Sequence, residues 1–293
     1  MRETKDGDMQ NLFNYSTLDT KLEKSTRTLF VTLNQPQWQN AFRMEMLFEL
    51  ESLFAWCTSR IEISSIFINS STHYFSKGIE KESLPQLTGA QLEKMTIKLQ
   101  KIIFSMMQLP QTIIMDLGDG TENLASEFAL GADIRIASNK TQISFNHCLY
   151  GMVPASGGMS LLSVLAGPAM AKSWLLSGSP IKNNSLLSTG LVTDLYEAHE
   201  RQPLINQILE QVHKAAPVQR IQAKLGLFES LRPQIEAGIV NDRKIAKASL
   251  VTEDWKKRKP EDTNLSFMPA KSMAYAVKLS LVKSEDRRSE LDH

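Results

Sequence analysis

Short β-rich runs separated by long amphipathic stripes constrain this chain more than any single residue does. Leu29-Phe30-Val31-Thr32-Leu33, Ile63 to Ile68 and Ile113-Ile114-Met115 read as strands. Between the first two, Met44, Leu47, Leu50, Phe54 and Cys57 recur at helical spacing, and between the last two so do Leu92, Met95, Leu99, Ile102, Met106 and Leu109. The second stripe stops before Pro110, whose ring disfavours helix in the residue preceding it. Strands this far apart cannot close hairpins. Crossover helices bring them side by side in parallel, and the expected fold class is α/β.

The 293 residues are 42% apolar, enough for one large core or two modest ones, and 22% charged. A net charge of +1 gives no electrostatic footprint for nucleic acid or for an anionic membrane. Apolar runs such as Ile102-Ile103-Phe104 fall short of the roughly 20 residues of a membrane span, so membrane insertion is not expected. Cys57 and Cys148 lie far apart and form no ligand-spaced cluster, which argues against a disulfide scaffold and a metal site and favours a reducing, cytoplasmic setting. Residues 1–16 are polar and without period, the expectation for a flexible arm, and no secretory leader is legible in them.

Candidate chemistry concentrates between Asp116 and Gly158. Asn123 is a plausible N-cap for a helix over 124–130, and Glu127 sits one turn inside it. Backbone N–H groups at such a helix start, with another from a glycine-containing loop, can hold a developing oxyanion. His147 follows twenty residues after Glu127, ahead of a turn rich in Gly, Pro and Ser. Read alone, a helical Glu is more often solvated or salt-bridged than catalytic, and a loop His more often hydrogen-bonded than reactive. An imidazole facing a substrate is nonetheless suited to proton transfer near neutrality.

Taken together, Asn34-Gln35-Pro36 with Asn40-Ala41-Phe42, Phe75 to Glu80, Glu127-Phe128-Ala129-Leu130 with Ala132 to Ala137, Gly151 to Pro154 with Gly157-Gly158, Gly167 to Ala171 and Gly190-Leu191-Val192 resemble the crotonase (enoyl-CoA hydratase/isomerase) superfamily. The resemblance covers roughly residues 17–260. It implies a crotonase-like spiral of ββα units over 17–200, a helical oligomerisation region over 201–260, and assembly as a homotrimer or dimer of trimers. It also implies an acyl-CoA thioester as substrate, with coenzyme A entering as part of that substrate and no separate cofactor. By position the oxyanion donors are the N–H groups of Ile79 and Leu124, the acid/base pair is Glu127 and His147, and Ser76, Lys77 and Gly78 belong to the loop that meets the coenzyme.

This chain departs from the family pattern closest to the chemistry. Asn123-Leu124-Ala125 replaces a run of glycines, where a leucine side chain would crowd the thioester or refill the pocket. An upstream glycine position falls near Asp119, Glu80 stands for an aspartate, and His147 stands where the hydratases carry their second glutamate. Three readings stay open. His147 shares acid/base work with Glu127; Glu127 alone shifts a double bond or hydrolyses a thioester; or the site is dead and the chain binds a ligand or a partner protein. Losing one of two cooperating acid/base groups costs about 10² to 10⁴ in rate, so water addition is the activity least supported.

Downstream, helices are expected over 159–165, 169–176 and from Leu204 to a stop at Pro217, then over 218–251 with an interruption near Pro233. The run Lys256-Lys257-Arg258-Lys259 matches a basic family segment near the coenzyme phosphates in some members, though a solvated charge run is the plainer reading. Ala270, Met273, Val277 and Leu281 mark one more helical stripe in an extra C-terminal segment, 261–293.

Overall fold

The structure, a computed structural model, describes residues 10, 11 and 13–257. The expected C-terminal helix and tail, Arg258 and Lys259 of the basic run and most of the N-terminal arm lie outside the described residues. In chain order the elements are β1 (Gln10–Asn11), β2 (Leu18–Glu23), β3 (Thr28–Leu33), α1 (Met44–Cys57), β4 (Ser65–Ser70), α2 (Gly89–Gln108), β5 (Thr112–Asp116), β6 (Gly120–Glu122), α3 (Asn123–Ala129), β7 (Ile134–Ser138), β8 (Gln142–Ser144), α4 (Gly158–Ala166), α5 (Pro168–Ser177), α6 (Asn183–Ser188), β9 (Asp194–Tyr196), α7 (Arg201–Lys214) and α8 (Pro217–Ser249).

The main sheet runs β1-β2-β3-β4-β5-β7-β9. β3, β4, β5, β7 and β9 are parallel, as the alternation predicts, while β1 and β2 add an antiparallel edge. Period-two alternation sends successive residues to opposite faces of the sheet. Ile66 and Ile68, with Ile113 and Met115, face the core built on α1 and α2. Phe67 and Ile114, with Ile136 and Tyr196, meet Ile205, Ile208 and Leu209 of α7 on the other side. The sheet is therefore covered on both faces, which is why its strands read as unbroken apolar runs.

Helix boundaries follow local chemistry. Thr88 caps α2 through a capping box with Gln91: the Gln91 N–H donates to Thr88 Oγ1 at 3.3 Å, and the Thr88 N–H donates to Gln91 Oε1 at 2.8 Å. Two expectations need correction. Pro217 does not simply stop a helix; it is the first residue of α8, where its missing N–H would have no helical partner anyway. And α8 runs through Pro233 without a break, anchored on either side of it by the buried Phe228 and Ile235. Tertiary packing here outweighs the roughly 3 kcal/mol that an internal proline costs a helix.

Candidate active site

Two segments meet at the carboxyl end of β4. The loop 71–79 leaves that strand and is stitched to the β5–α3 connection: the Phe75 N–H donates to Gly120 O at 2.9 Å and the Glu122 N–H to Ser76 O at 3.2 Å. Ser76 is fully buried, its hydroxyl donating to Asn40 O at 2.7 Å and accepting from the Gly78 N–H at 3.0 Å, so the side chain is committed within the protein. Lys77 turns its ammonium to Glu122 at 2.7 Å. Gly78 adopts φ +70°, and a Cβ there would lie 1.9 Å from Asn123 Oδ1 and 2.4 Å from Glu122 O, so no other residue fits without movement.

This path sets the N–H of Ile79 beside that of Leu124. Both donate to one atom, Asn123 Oδ1, at 2.8 and 2.7 Å. The same carboxamide donates through Nδ2 to Lys77 O at 3.1 Å. Asn123 itself sits at φ +39°, a region that asparagine tolerates better than most residues. The sequence reading of Asn123 as an N-cap is thus corrected. Glu122 takes the cap position without a side-chain cap bond, and Asn123 instead spans two segments 44 residues apart.

Glu127 and His147, both buried, are brought together. His147 Nε2 lies 2.8 Å from Glu127 Oε1, while the N–H groups of Ser156 and Gly158 donate to Oε2 at 2.7 and 2.8 Å. A carboxylate oxygen can only accept, so with Glu127 as the carboxylate the shared proton belongs to His147 Nε2, and in the neutral imidazole Nδ1 then carries the lone pair. Among the described residues no group partners Nδ1. Gly158 is required for this grip, because a Cβ there would come within 2.9 Å of Glu127 Oε2 and 2.7 Å of the Pro154 side chain.

A second carboxylate supports the same turn from α8. Asp242, buried, accepts from the Ser160 hydroxyl at 2.9 Å and the Ser160 N–H at 3.3 Å. Burial, helped by the charge of Glu127, pushes the Asp242 carboxyl up to about 7 against the pull of the Ser160 bonds. At the mouth of the loop, burial raises Glu122, but hydrogen bonds from Lys77 and Asn146 and the charges of Lys81 and Lys77 outweigh it and leave its carboxyl below the usual range.

Ile79, Leu124 and His147 line one small cavity with Met95, Met152 and Leu250. Its free volume is about 20 Å³, room for a single water-sized group. Leu124, buried in the main core, does refill this space. A larger open cavity of about 680 Å³ lies elsewhere, lined by His73, Asp116, Asp119, Tyr196 and Arg201, with Asp116 accepting from the Tyr196 hydroxyl at 2.5 Å and from Arg201 Nε at 2.6 Å. Among the described residues no group of three or more His, Cys, Asp or Glu could hold a metal ion.

The chain is 24% identical over 236 residues to a short-chain-enoyl-CoA hydratase of Clostridium acetobutylicum, covering 80% of this chain and 90% of that one. It is 22% identical over 190 residues to a trans-2-decenoyl-[acyl-carrier-protein] isomerase of Streptococcus mutans, covering 64% and 72%. The crystal structure of an enoyl-CoA hydratase from Bacillus halodurans superposes with a TM-score of 0.76 at 20% identity, over 83% of this chain and 98% of that one, and shows the shared fold. The model of the enoyl-CoA hydratase/isomerase family matches residues 23–262, and the chain belongs to that family.

Proposed function

We infer that the chain binds an acyl-CoA thioester by its carbonyl and moves a proton at the adjacent carbon, with His147 as the acid/base and Glu127 as the group that orients it. The observation that carries this is the convergence of the Ile79 and Leu124 N–H groups on a single sp² oxygen, the arrangement that stabilises an enolate. Glu127 is surrounded by its own donors, so the lone pair presented toward substrate is Nδ1 of His147. One base can remove a proton and return it elsewhere. Adding water needs a second group to hold the nucleophile, so shifting a double bond is favoured over hydration. The resemblance further supports assembly as a homotrimer or dimer of trimers, and the two widely spaced cysteines support a cytoplasmic location; sedimentation of the purified chain tests the former.

A second reading, a non-catalytic ligand- or partner-binding member, is favoured by one observation: the donors are occupied by Asn123 and the adjoining cavity is small. Incubation with a panel of 2-enoyl-CoA and 3-enoyl-CoA esters separates the two. The enzyme reading expects isomerisation that falls by about 10² to 10⁴ in His147→Ala. No turnover of any ester, or turnover indifferent to His147→Ala, refutes it.

A further inference from the structure

We propose that Asn123 is an intramolecular ligand of the oxyanion site, a side chain that closes the site against any compound whose carbonyl cannot displace it. This rests on the reading of Ile79 and Leu124 as carbonyl-binding donors. The Asn123 carboxamide oxygen is chemically close to a thioester carbonyl: sp², partly negative, and able to accept two N–H bonds at once. It does accept two, at 2.8 and 2.7 Å, in the position an enolate oxygen would take between those donors.

The contact is built. Gly78 leaves the space the oxygen fills, since a Cβ there would stand 1.9 Å from it. The bond from Nδ2 to Lys77 O fixes which way the carboxamide faces, so the oxygen and not the nitrogen meets the donors. Asn123 takes a positive φ, +39°, and its side chain reaches the 77–79 loop through both carboxamide atoms. Asn123 and Leu124 together then account for the closed site, one at the carbonyl position and one in the acyl space.

A thioester that enters must break both bonds, so its apparent affinity is lowered by the fraction of molecules in which the carboxamide has swung away. With each bond contributing a factor of about five to the closed state, the penalty is roughly 25-fold. Free coenzyme A, which has no thioester carbonyl, carries no such penalty.

Calorimetric titration of the full chain with acetyl-CoA and with coenzyme A, for wild type and for Asn123→Gly, tests this. Glycine suits the positive φ and removes the oxygen. The expected result is acetyl-CoA affinity raised at least about tenfold with coenzyme A affinity unchanged. Equal gains for both ligands, or none for either while the wild type binds acetyl-CoA, overturn the role of Asn123 and leave the donor reading intact. Acetyl-CoA binding by neither protein overturns the donor reading and the proposal with it. Should Asn123→Gly fail to fold, nitrogen-15 spectra of the wild type decide: the Asn123 side-chain amide is expected to shift on addition of acetyl-CoA and not of coenzyme A, and an unmoved resonance at saturation overturns the proposal.

Discussion

Replacing Glu127 by glutamine tests the orientation of the dyad more sharply than deleting it. Oε2 of Glu127 accepts from two backbone N–H groups, Ser156 at 2.7 Å and Gly158 at 2.8 Å, so the glutamine oxygen must take that position. Its amide NH₂ then faces His147 Nε2, which lies 2.8 Å from Oε1 in the native chain. A donor facing Nε2 forces that nitrogen to accept and moves the ring proton to Nδ1. The exchange trades charge-assisted bonds for neutral ones, a loss of about 1–3 kcal/mol. For a chain of this size that lowers the melting temperature by roughly 2–5 °C. Glu127→Ala, by contrast, leaves two buried N–H groups and an imidazole without partners and costs about 3–5 kcal/mol. Nitrogen-15 spectra of histidine-labelled protein read the tautomer directly: protonated Nε2 in wild type, protonated Nδ1 in Glu127→Gln. Activity is expected to fall by about 10² to 10⁴, because a protonated Nδ1 cannot act as a base. Protonated Nδ1 in the wild type, or the same tautomer in both proteins, refutes the assignment of roles.

Asp242 gives a pH dependence of stability with a definite sign. Its folded value of about 7 lies above its ordinary 3.8, so the native chain holds this proton more tightly than the unfolded chain does. Its contribution is largest in acid, declines as pH rises from about 4 to about 7, and stays at its minimum above that. Asp242→Asn should therefore gain on the wild type between pH 5 and pH 8 in thermal melts, and a constant difference across that window contradicts the argument. Gly78→Ala meets Asn123 Oδ1 and Glu122 O at φ +70° and should cost more than about 2 kcal/mol in denaturant unfolding, with only partial recovery in the double variant with Asn123→Gly, because the Glu122 carbonyl is backbone. Leu124→Ala should cost about 2–5 kcal/mol while enlarging the cavity beside His147, so that longer acyl-CoA esters bind relatively better; unchanged chain-length preference in competition titrations argues that the acyl group lies elsewhere.

The stripes of α1 and α2 and the runs of β3, β4 and β5 were legible because burial on one face imposes a period that the residues themselves display. α8 was less so. Pro233 is a local signal of interruption, and what overrules it is packing at Phe228 and Ile235 against distant elements. The antiparallel edge formed by β2 carries only weak alternation, with exposed or half-buried residues at every position but Leu18 and Thr20. In the site, Glu127 and His147 could be picked out by residue type and by family position, whereas their joint geometry depends on the Ser156 and Gly158 N–H groups, which backbone conformation alone supplies. Asn123 was misread for a related reason. At the start of a helix asparagine has a strong local meaning, and nothing within a few residues shows that the loop ending at Ile79, far back in the chain, folds against it. The one legible signal was comparative, an asparagine where the family carries glycine. Asp242 offered no signal at all, arriving from α8 to hold Ser160.

The two departures nearest the chemistry support each other physically. A second carboxylate at the position of His147, 2.8 Å from Glu127 in a buried site, could not ionise together with it, so one would have to hold a proton. Imidazole turns that repulsion into a hydrogen bond and lets Glu127 keep its charge for the Ser156 and Gly158 N–H groups. Asn123 does the equivalent service for the Ile79 and Leu124 N–H groups, which would otherwise be buried donors without that acceptor. Four backbone donors are thereby satisfied from within the chain. Stability gained this way opposes binding, because a ligand must compete with the protein's own acceptors instead of meeting open ones. His147 Nδ1, buried beside the cavity with no partner among the described residues, is the exception. A hydrogen bond made there displaces nothing, so a ligand that donates to Nδ1 gains affinity without breaking the internal bonds, whereas one that relies on its carbonyl alone has to break two.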